Sequence, residues 1–143
     1  MYEVCDVCKY IIDYSNSNGY YISNLKLQKI LYFVQAYFLA TTQKPCFQEK
    51  IIAWAFGPVI LEAYRIYKIF GGCSIPGALQ NNGNDVILDK DKKLIEAVVD
   101  KFSPYSASEL TELTCKQLPW MDSYIPAKNK EITIETMRTY FSE

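Results

Sequence analysis

The chain has 143 residues, with 15 basic and 16 acidic side chains and a net charge of −1. This length suits one domain with a full hydrophobic core. The balanced charge argues against a dedicated nucleic-acid-binding protein, in which clustered Lys and Arg supply most of the affinity. The chain contains no histidine, so a Ser-His-Asp or Cys-His catalytic arrangement is excluded.

The five cysteines are scattered along the chain, at Cys5, Cys8, Cys46, Cys73 and Cys115. The first two form a C-x-x-C pair, but a zinc site needs two further ligands at a suitable spacing. The sequence also has neither a signal peptide nor an apolar run of 18 residues. We therefore expect reduced thiols, no metal, no cofactor and a cytoplasmic protein.

Apolar residues recur at helical spacing in most of the chain, which predicts a compact, mainly α single domain of about six helices. The first helix, 4–15, carries an apolar stripe, and the second, 24–41, follows Ser23 as its N-cap. The second helix is apolar around much of its circumference, which is typical of a central helix. Two further helices are predicted from Pro58 to residue 70 and from about residue 91 to the stop at Pro104. The last two are predicted to begin after a capping box at Ser106 and after Thr133.

Two other segments have non-helical patterns. Residues 51–55 could form a strand, and a small β-hairpin pairing them with 86–88 is one option. Gly, Asn, Ser and Pro dominate from residue 71 to about 90 and predict a long loop centred on 81–85. We expect residues 1–143 to form one unit with no separate DNA-binding segment.

The predicted second helix carries polar residues beside its apolar face. Gln28, Tyr32 and Gln35 lie at i, i+4 and i+7, and they are either a satisfied polar seam between helices or the edge of a partner-binding groove. Lys26 and Lys29 share one side of the helix, where the usual structure is a solvated face. The alternative is that both lysines meet acidic groups on a partner.

Three motifs occur in register along the chain. They are Leu25-Lys-Leu-Gln-Lys-Ile-Leu-Tyr32 with Gln35-Ala36, Ala53-Trp54-x-x-Gly57-Pro58-Val59, and Leu113-Thr114-x-x-x-x-Pro119-Trp120. Together they resemble the SocA-like, or Panacea, antitoxin domain, which is also known from phage- and genetic-element-associated proteins of the GepA type. The likeness runs from about residue 4 to residue 141.

The resemblance implies an antitoxin that neutralises a cognate toxin by direct protein–protein binding. It leaves two related roles open: an adaptor that delivers its partner to a protease, and a phage effector that binds a host protein. The partner's identity and chemistry, the contact surface and the oligomeric state cannot be read from the sequence.

Both tryptophans lie in the matched motifs. Large rings serve either a core or an interface hot spot, so Trp54 and Trp120 are candidates for partner binding as well as for the core. Pro119 is expected to fix an extended approach that orients the Trp120 indole.

The remaining motif residues are expected to be structural. Gly57-Pro58 predicts a sharp turn into a helix. Cys115 stands where the family pattern usually has histidine, which argues against a histidine-dependent enzyme mechanism here. The competing enzyme hypothesis is a carboxylate pair, Glu109 with Glu112, but surface acids are far commoner. We expect a binding protein and no enzyme.

Overall fold

The computed structural model describes residues 1–77 and 86–142, and it is mainly α-helical with a small antiparallel sheet. The centre of the predicted long loop, 81–85, lies outside the described residues. The helices are α1 Val4–Ser17, α2 Asn24–Thr42, α3 Leu61–Tyr67, α4 Asp89–Phe102, α5 Ala107–Cys115, α6 Leu118–Met121 and α7 Ile134–Phe141, with a 3₁₀ turn at Lys68–Phe70. The strands are β1 Ile51–Trp54, β2 Gly57–Val59 and β3 Glu131–Ile132.

Helix α2 is the centre of the domain, as its broad apolar surface predicts. It contacts α1, α3, α4, α5, α7 and β2. Among its core side chains, Leu27, Leu31 and Val34 are completely buried. The apolar stripe of α1 is likewise buried along its length, from Val4 to Ile12. The helices α3, α4, α5 and α7 and the strand β2 are therefore positioned by packing against these two helices, and α6, β1 and β3 contact those elements or each other.

The predicted helix starts depend on local side-chain caps, and three of them are confirmed. The Ser23 hydroxyl accepts a hydrogen bond from the Lys26 amide at 3.3 Å. Ser106 and Glu109 form the predicted capping box, with bonds of 2.8 and 3.1 Å. Thr133 caps α7 by accepting from the Thr136 amide. Such caps satisfy amides that have no acceptor within the first helical turn.

The partner predicted for the strand at 51–55 was wrong. Residues 86–88 contain no strand, and β1 instead pairs with β2 and β3 in a sheet of order β2-β1-β3. The β1–β2 register places Ile52 opposite Val59 and Trp54 opposite Gly57. A two-residue turn, Ala55-Phe56, connects β1 to β2. Strand β1 therefore pairs with the segment that follows it directly in the chain.

Both motif prolines lie in elements other than those predicted. Pro58 is part of β2, and α3 begins three residues later at Leu61. Because β2 is an edge strand, the missing N–H of Pro58 breaks no ladder hydrogen bond. Pro119 lies in the first turn of α6 instead of an extended segment, a position in which a helix tolerates proline.

Helices long and apolar enough to cross a membrane are absent from the described part of the chain.

Candidate functional site

The three sequence motifs meet at one buried point, which we call the motif junction: Lys29, Gly57, Pro58, Thr114 and Cys115. The Lys29 ammonium is completely buried and donates a hydrogen bond to the Pro58 carbonyl at 3.2 Å. Gly57 has a φ of +98°, and a Cβ at this position would lie 2.9 Å from Thr114 Oγ1 and 3.0 Å from Lys29 Cε. Only glycine fits both the backbone conformation and the space.

Burial dominates the electrostatics of this junction. It lowers the pKa of Lys29 to about 8, and the neighbouring Cys115 partly offsets the effect. Burial also raises the pKa of the Cys115 thiol, while the lysine charge acts in the opposite direction. Both shifts are what desolvation does to an ionisable group. At neutral pH, below both of these pKa values, the junction therefore holds an ammonium and a protonated thiol, an arrangement that fastens α2 to β2 and α5.

The polar residues of α2 that were candidates for partner binding form a satisfied seam inside the protein. Gln28 is completely buried; it accepts a bond from the Ile60 amide and donates to Asn24, both at 2.9 Å. Tyr32 is also completely buried, and its hydroxyl donates to the Gln117 side chain at 2.8 Å. Of the two alternatives, the seam is confirmed at these positions.

Gln35 extends the same seam at the far end of α2. Its side-chain oxygen accepts from the amides of Cys46 and Phe47 at 2.7 and 3.3 Å, and its amide donates to the Phe47 carbonyl at 2.9 Å. These three bonds tie the segment before β1 to the central helix. Because unpaired buried amides are costly, Gln35 is a structural clamp for that segment.

The solvated face predicted for Lys26 and Lys29 was wrong. Lys26 has only 3% of its surface exposed, and its ammonium donates to the Ser103 carbonyl at 2.7 Å. Burial lowers its pKa. Both lysines lie where elements packed on α2 supply carbonyl oxygens, which substitute for water. In the folded chain both lysine side chains are buried.

The two tryptophans are half-buried and linked to each other. The Trp120 indole N–H donates to the Trp54 carbonyl at 2.7 Å, and the Trp120 ring stacks on Tyr124 at 4.6 Å. Trp54 Nε1 donates to Asn129 Oδ1 at 2.9 Å, and its ring makes an edge contact with Tyr64 at 5.1 Å. Trp120 therefore connects α6 to the β1–β2 hairpin, and Trp54 lies at the protein surface.

The surface around the β1–β2 turn is the strongest candidate for partner contact. Phe56, at the turn itself, is 60% exposed, although it is a large aromatic side chain. It lines two neighbouring grooves, of about 450 Å³ and 220 Å³. We call this surface the aromatic face; its members are Tyr21, Leu25, Trp54, Phe56, Tyr64, Tyr124 and Ile125.

Of the predicted contact residues, only Trp54 belongs to the aromatic face. Phe56, the most exposed residue of the seven, was not among the residues predicted from the sequence. A signal was available, because Phe56 directly precedes Gly57 between two short apolar segments, a position typical of a turn that displays its side chain. Large apolar side chains grouped at the surface are the usual mark of an interaction site.

The two carboxylates that were considered for catalysis, Glu109 and Glu112, each make a contact within or next to α5. Glu109 accepts from the Ser106 amide in the capping box at 2.8 Å. Glu112 pairs with Lys116 at 3.2 Å on the exposed side of the helix. In residues 1–77 and 86–142, no group of three or more His, Cys, Asp or Glu side chains could hold a metal ion.

Comparison with known proteins places the chain in a family. Residues 27–121, well over half of the chain, match the model of the family described as antitoxin SocA-like, Panacea domain. The chain belongs to this family, as the resemblance of the three motifs implied. This span contains all five residues of the motif junction.

A curated relative supports the same assignment. Over 50 residues the chain is 44% identical to antitoxin SocA of Caulobacter vibrioides (strain NA1000 / CB15N). The aligned segment is 35% of this chain and 27% of the relative, so the chain spans about a quarter of that protein's length. No solved structure matches the chain.

Proposed function

We propose that this protein is an antitoxin that neutralises a cognate toxin by direct binding, and that the aromatic face makes the contact. Membership of an antitoxin family supports the role, and the observation that carries the contact surface is the exposed Phe56 ring between two grooves. Aromatic side chains dominate the binding energy of protein interfaces, because each buries a large area with little entropy loss.

The scaffold beneath the aromatic face favours this function. The motif junction fixes Gly57 and Pro58 immediately beside Phe56, and the Trp120–Trp54 hydrogen bond holds the other strand of the hairpin. A rigid support lowers the entropic cost of ordering the contact side chains when a partner binds. The family motifs thus supply a platform, and the surface residues on it supply the contacts.

Co-expression with the product of the neighbouring gene tests the proposal. The wild-type chain should restore growth to cells that express the toxin and should co-purify with it. Phe56→Ser should weaken the complex by about 10- to 100-fold, the usual cost of an interface hot spot. The matched control is Leu88→Ser, because Leu88 is 59% exposed, close to the 60% of Phe56, and lies outside the aromatic face.

The outcomes separate the proposal from its alternatives. If the wild-type chain neither rescues growth nor binds the neighbouring product, the antitoxin proposal is wrong. If Leu88→Ser weakens the complex as much as Phe56→Ser does, the contact surface is assigned wrongly. The half-life of the bound toxin distinguishes masking, which leaves it unchanged, from delivery to a protease, which shortens it.

A further inference from the structure

The larger groove of the aromatic face lies where α2 and α5 begin and where α3 ends. Its volume is about 450 Å³, and its apolar lining comes from Tyr21, Leu25, Phe56 and Tyr64. Tyr21 and Leu25 are 54% and 38% exposed. The Tyr21 hydroxyl donates to the Gly72 carbonyl, which holds the ring at the edge of the groove. The groove is therefore a surface feature of suitable size for one large apolar side chain.

The charged lining of this groove has a single sign. Lys68 is exposed and lines it, and none of its lining residues is acidic. In the described part of the chain, the one ion pair joins Lys116 to Glu112, so Lys68 has no carboxylate partner. Helix α5 begins at the same groove with Ala107 and Ser108. The Glu109 carboxylate of the capping box offsets the helix dipole there, which leaves Lys68 as the main positive charge.

Another groove has the opposite charge. It has a volume of about 390 Å³ and lies between α6 and α7; Asp122 and Glu135 line it, together with Leu118 and Tyr140. It is lined by no basic residue. The two grooves offer similar space, but an anionic ligand would be attracted to the first and repelled from the second.

We propose that the Lys68 groove binds an acidic segment of the partner protein, one that carries an aromatic or large aliphatic side chain beside a carboxylate. The proposal rests on the proposed function, because it names the chemistry of the toxin segment that the aromatic face receives. The apolar side chain is buried against Phe56 and Tyr64, and the carboxylate pairs with the Lys68 ammonium. An acidic segment also associates faster, and this advantage decreases as salt is added.

Peptide probes test the groove without the toxin. The ¹⁵N-labelled full-length chain is titrated with an acetylated, amidated pentapeptide, Glu-Phe-Glu-Leu-Glu, and with its basic counterpart, Lys-Phe-Lys-Leu-Lys. The acidic peptide should bind at least about 5-fold more tightly at low salt, and it should shift the amide signals of Leu25, Lys68 and Ala107. Equal binding of the two peptides, or shifts confined to other parts of the molecule, would overturn the proposal.

Variants separate the charge from the apolar contact. Lys68→Glu should weaken the acidic peptide by about 10-fold and reverse the preference between the two peptides. Leu25→Ser should weaken both peptides equally. Lys93→Glu is the matched control, because Lys93 is exposed on α4 and lines neither groove of the aromatic face. If Lys93→Glu has the same effect as Lys68→Glu, net charge and not the groove governs binding, and the proposal is wrong.

Further arms distinguish this proposal from other ligands and from the proposed function. An oligothymidylate is tested as a competitor of the acidic peptide. If it binds the groove more tightly than the peptide does, the groove is a nucleic-acid site and the proposal fails. If the chain forms a toxin complex that Lys68→Glu leaves unchanged, the groove proposal fails and the proposed function stands. If the peptide binds in the groove but no toxin complex forms, the groove proposal stands and the proposed function fails.

Discussion

Two neighbouring residues of the β1–β2 hairpin belong to regions with opposite roles. Gly57 is buried in the motif junction, where Thr114 and Lys29 leave no room for a Cβ, whereas Phe56 is 60% exposed on the aromatic face. The residue that belongs to a family motif is therefore constrained by folding, and the residue beside it, which the motif leaves open, is free of that constraint. A change in the junction should alter stability, and a change in the face should alter binding.

The largest effect on stability is expected for Gly57→Ala. The left-handed φ and the contacts of 2.9 and 3.0 Å together should cost about 2–5 kcal/mol of unfolding free energy. Gly19→Ala is the matched control: its φ is +70°, but no atom lies within 4 Å of the added Cβ. Urea denaturation measures both variants. Equal losses in the two would mean that the junction is not crowded as described.

The buried Lys29 should produce a pH dependence. Its folded pKa is about 8, below the ordinary lysine value of 10.5, so between these values the unfolded chain binds more protons than the folded chain. Stability should therefore rise with pH in this window through this group. The stability of Lys29→Met relative to wild type should be highest below pH 8 and fall by on the order of 2–3 kcal/mol by pH 10.5.

Comparing the two proteins cancels the contribution of titratable groups other than Lys29 and the neighbouring Cys115. Tyr14 has its pKa raised to about 12 and Cys46 also has a raised pKa, mainly by burial in both cases. Such groups lose stability as the pH rises, in the direction opposite to Lys29, but both proteins contain them. A stability difference that stays constant from pH 7 to pH 10.5 would show that Lys29 keeps an ordinary pKa in the folded state.

A smaller loss is expected for Tyr32→Phe in the polar seam. The substitution removes the 2.8 Å hydrogen bond to Gln117 and keeps the ring contacts with Phe33 and Phe141. One neutral hydrogen bond contributes about 1 kcal/mol net. Tyr140→Phe, on the exposed side of α7, serves as the control and should be close to neutral in thermal denaturation. If Tyr32→Phe leaves the stability unchanged, the Tyr32 hydroxyl does not contribute to the stability of the domain.

Local features of the fold could be predicted from the sequence because they depend on residues close in the chain. The caps at Ser23, Ser106 and Thr133 each require only a side chain and an amide three residues away. The centrality of α2 was likewise visible in its own apolar surface. The Gly57-Pro58 pair was misassigned because it suits a helix start as well as a strand after a turn, and the strand partner decides between them.

The burial of the polar residues on α2 could not be predicted, because their hydrogen-bond partners are distant in sequence. Lys29 reaches the carbonyl of Pro58, and Lys26 reaches that of Ser103, 77 positions along the chain. Lysine is rarely fully buried, so sequence alone favours a solvated face. The exposed face depends equally on tertiary structure: Tyr21, Phe56 and Tyr64 come from three separate segments and become neighbours only after folding.

The smallest stability effect is expected for Phe56→Ser, the variant designed to abolish binding. Because 60% of this ring already contacts water, its removal should change the unfolding free energy by no more than about 0.5 kcal/mol, as is usual for surface positions. Urea denaturation of Phe56→Ser should therefore give nearly the same midpoint as that of the wild-type chain. A loss above about 1 kcal/mol would mean that the ring supports the hairpin. The aromatic face and the motif junction would then be one structural unit, and reduced toxin binding by this variant would report misfolding instead of a lost contact.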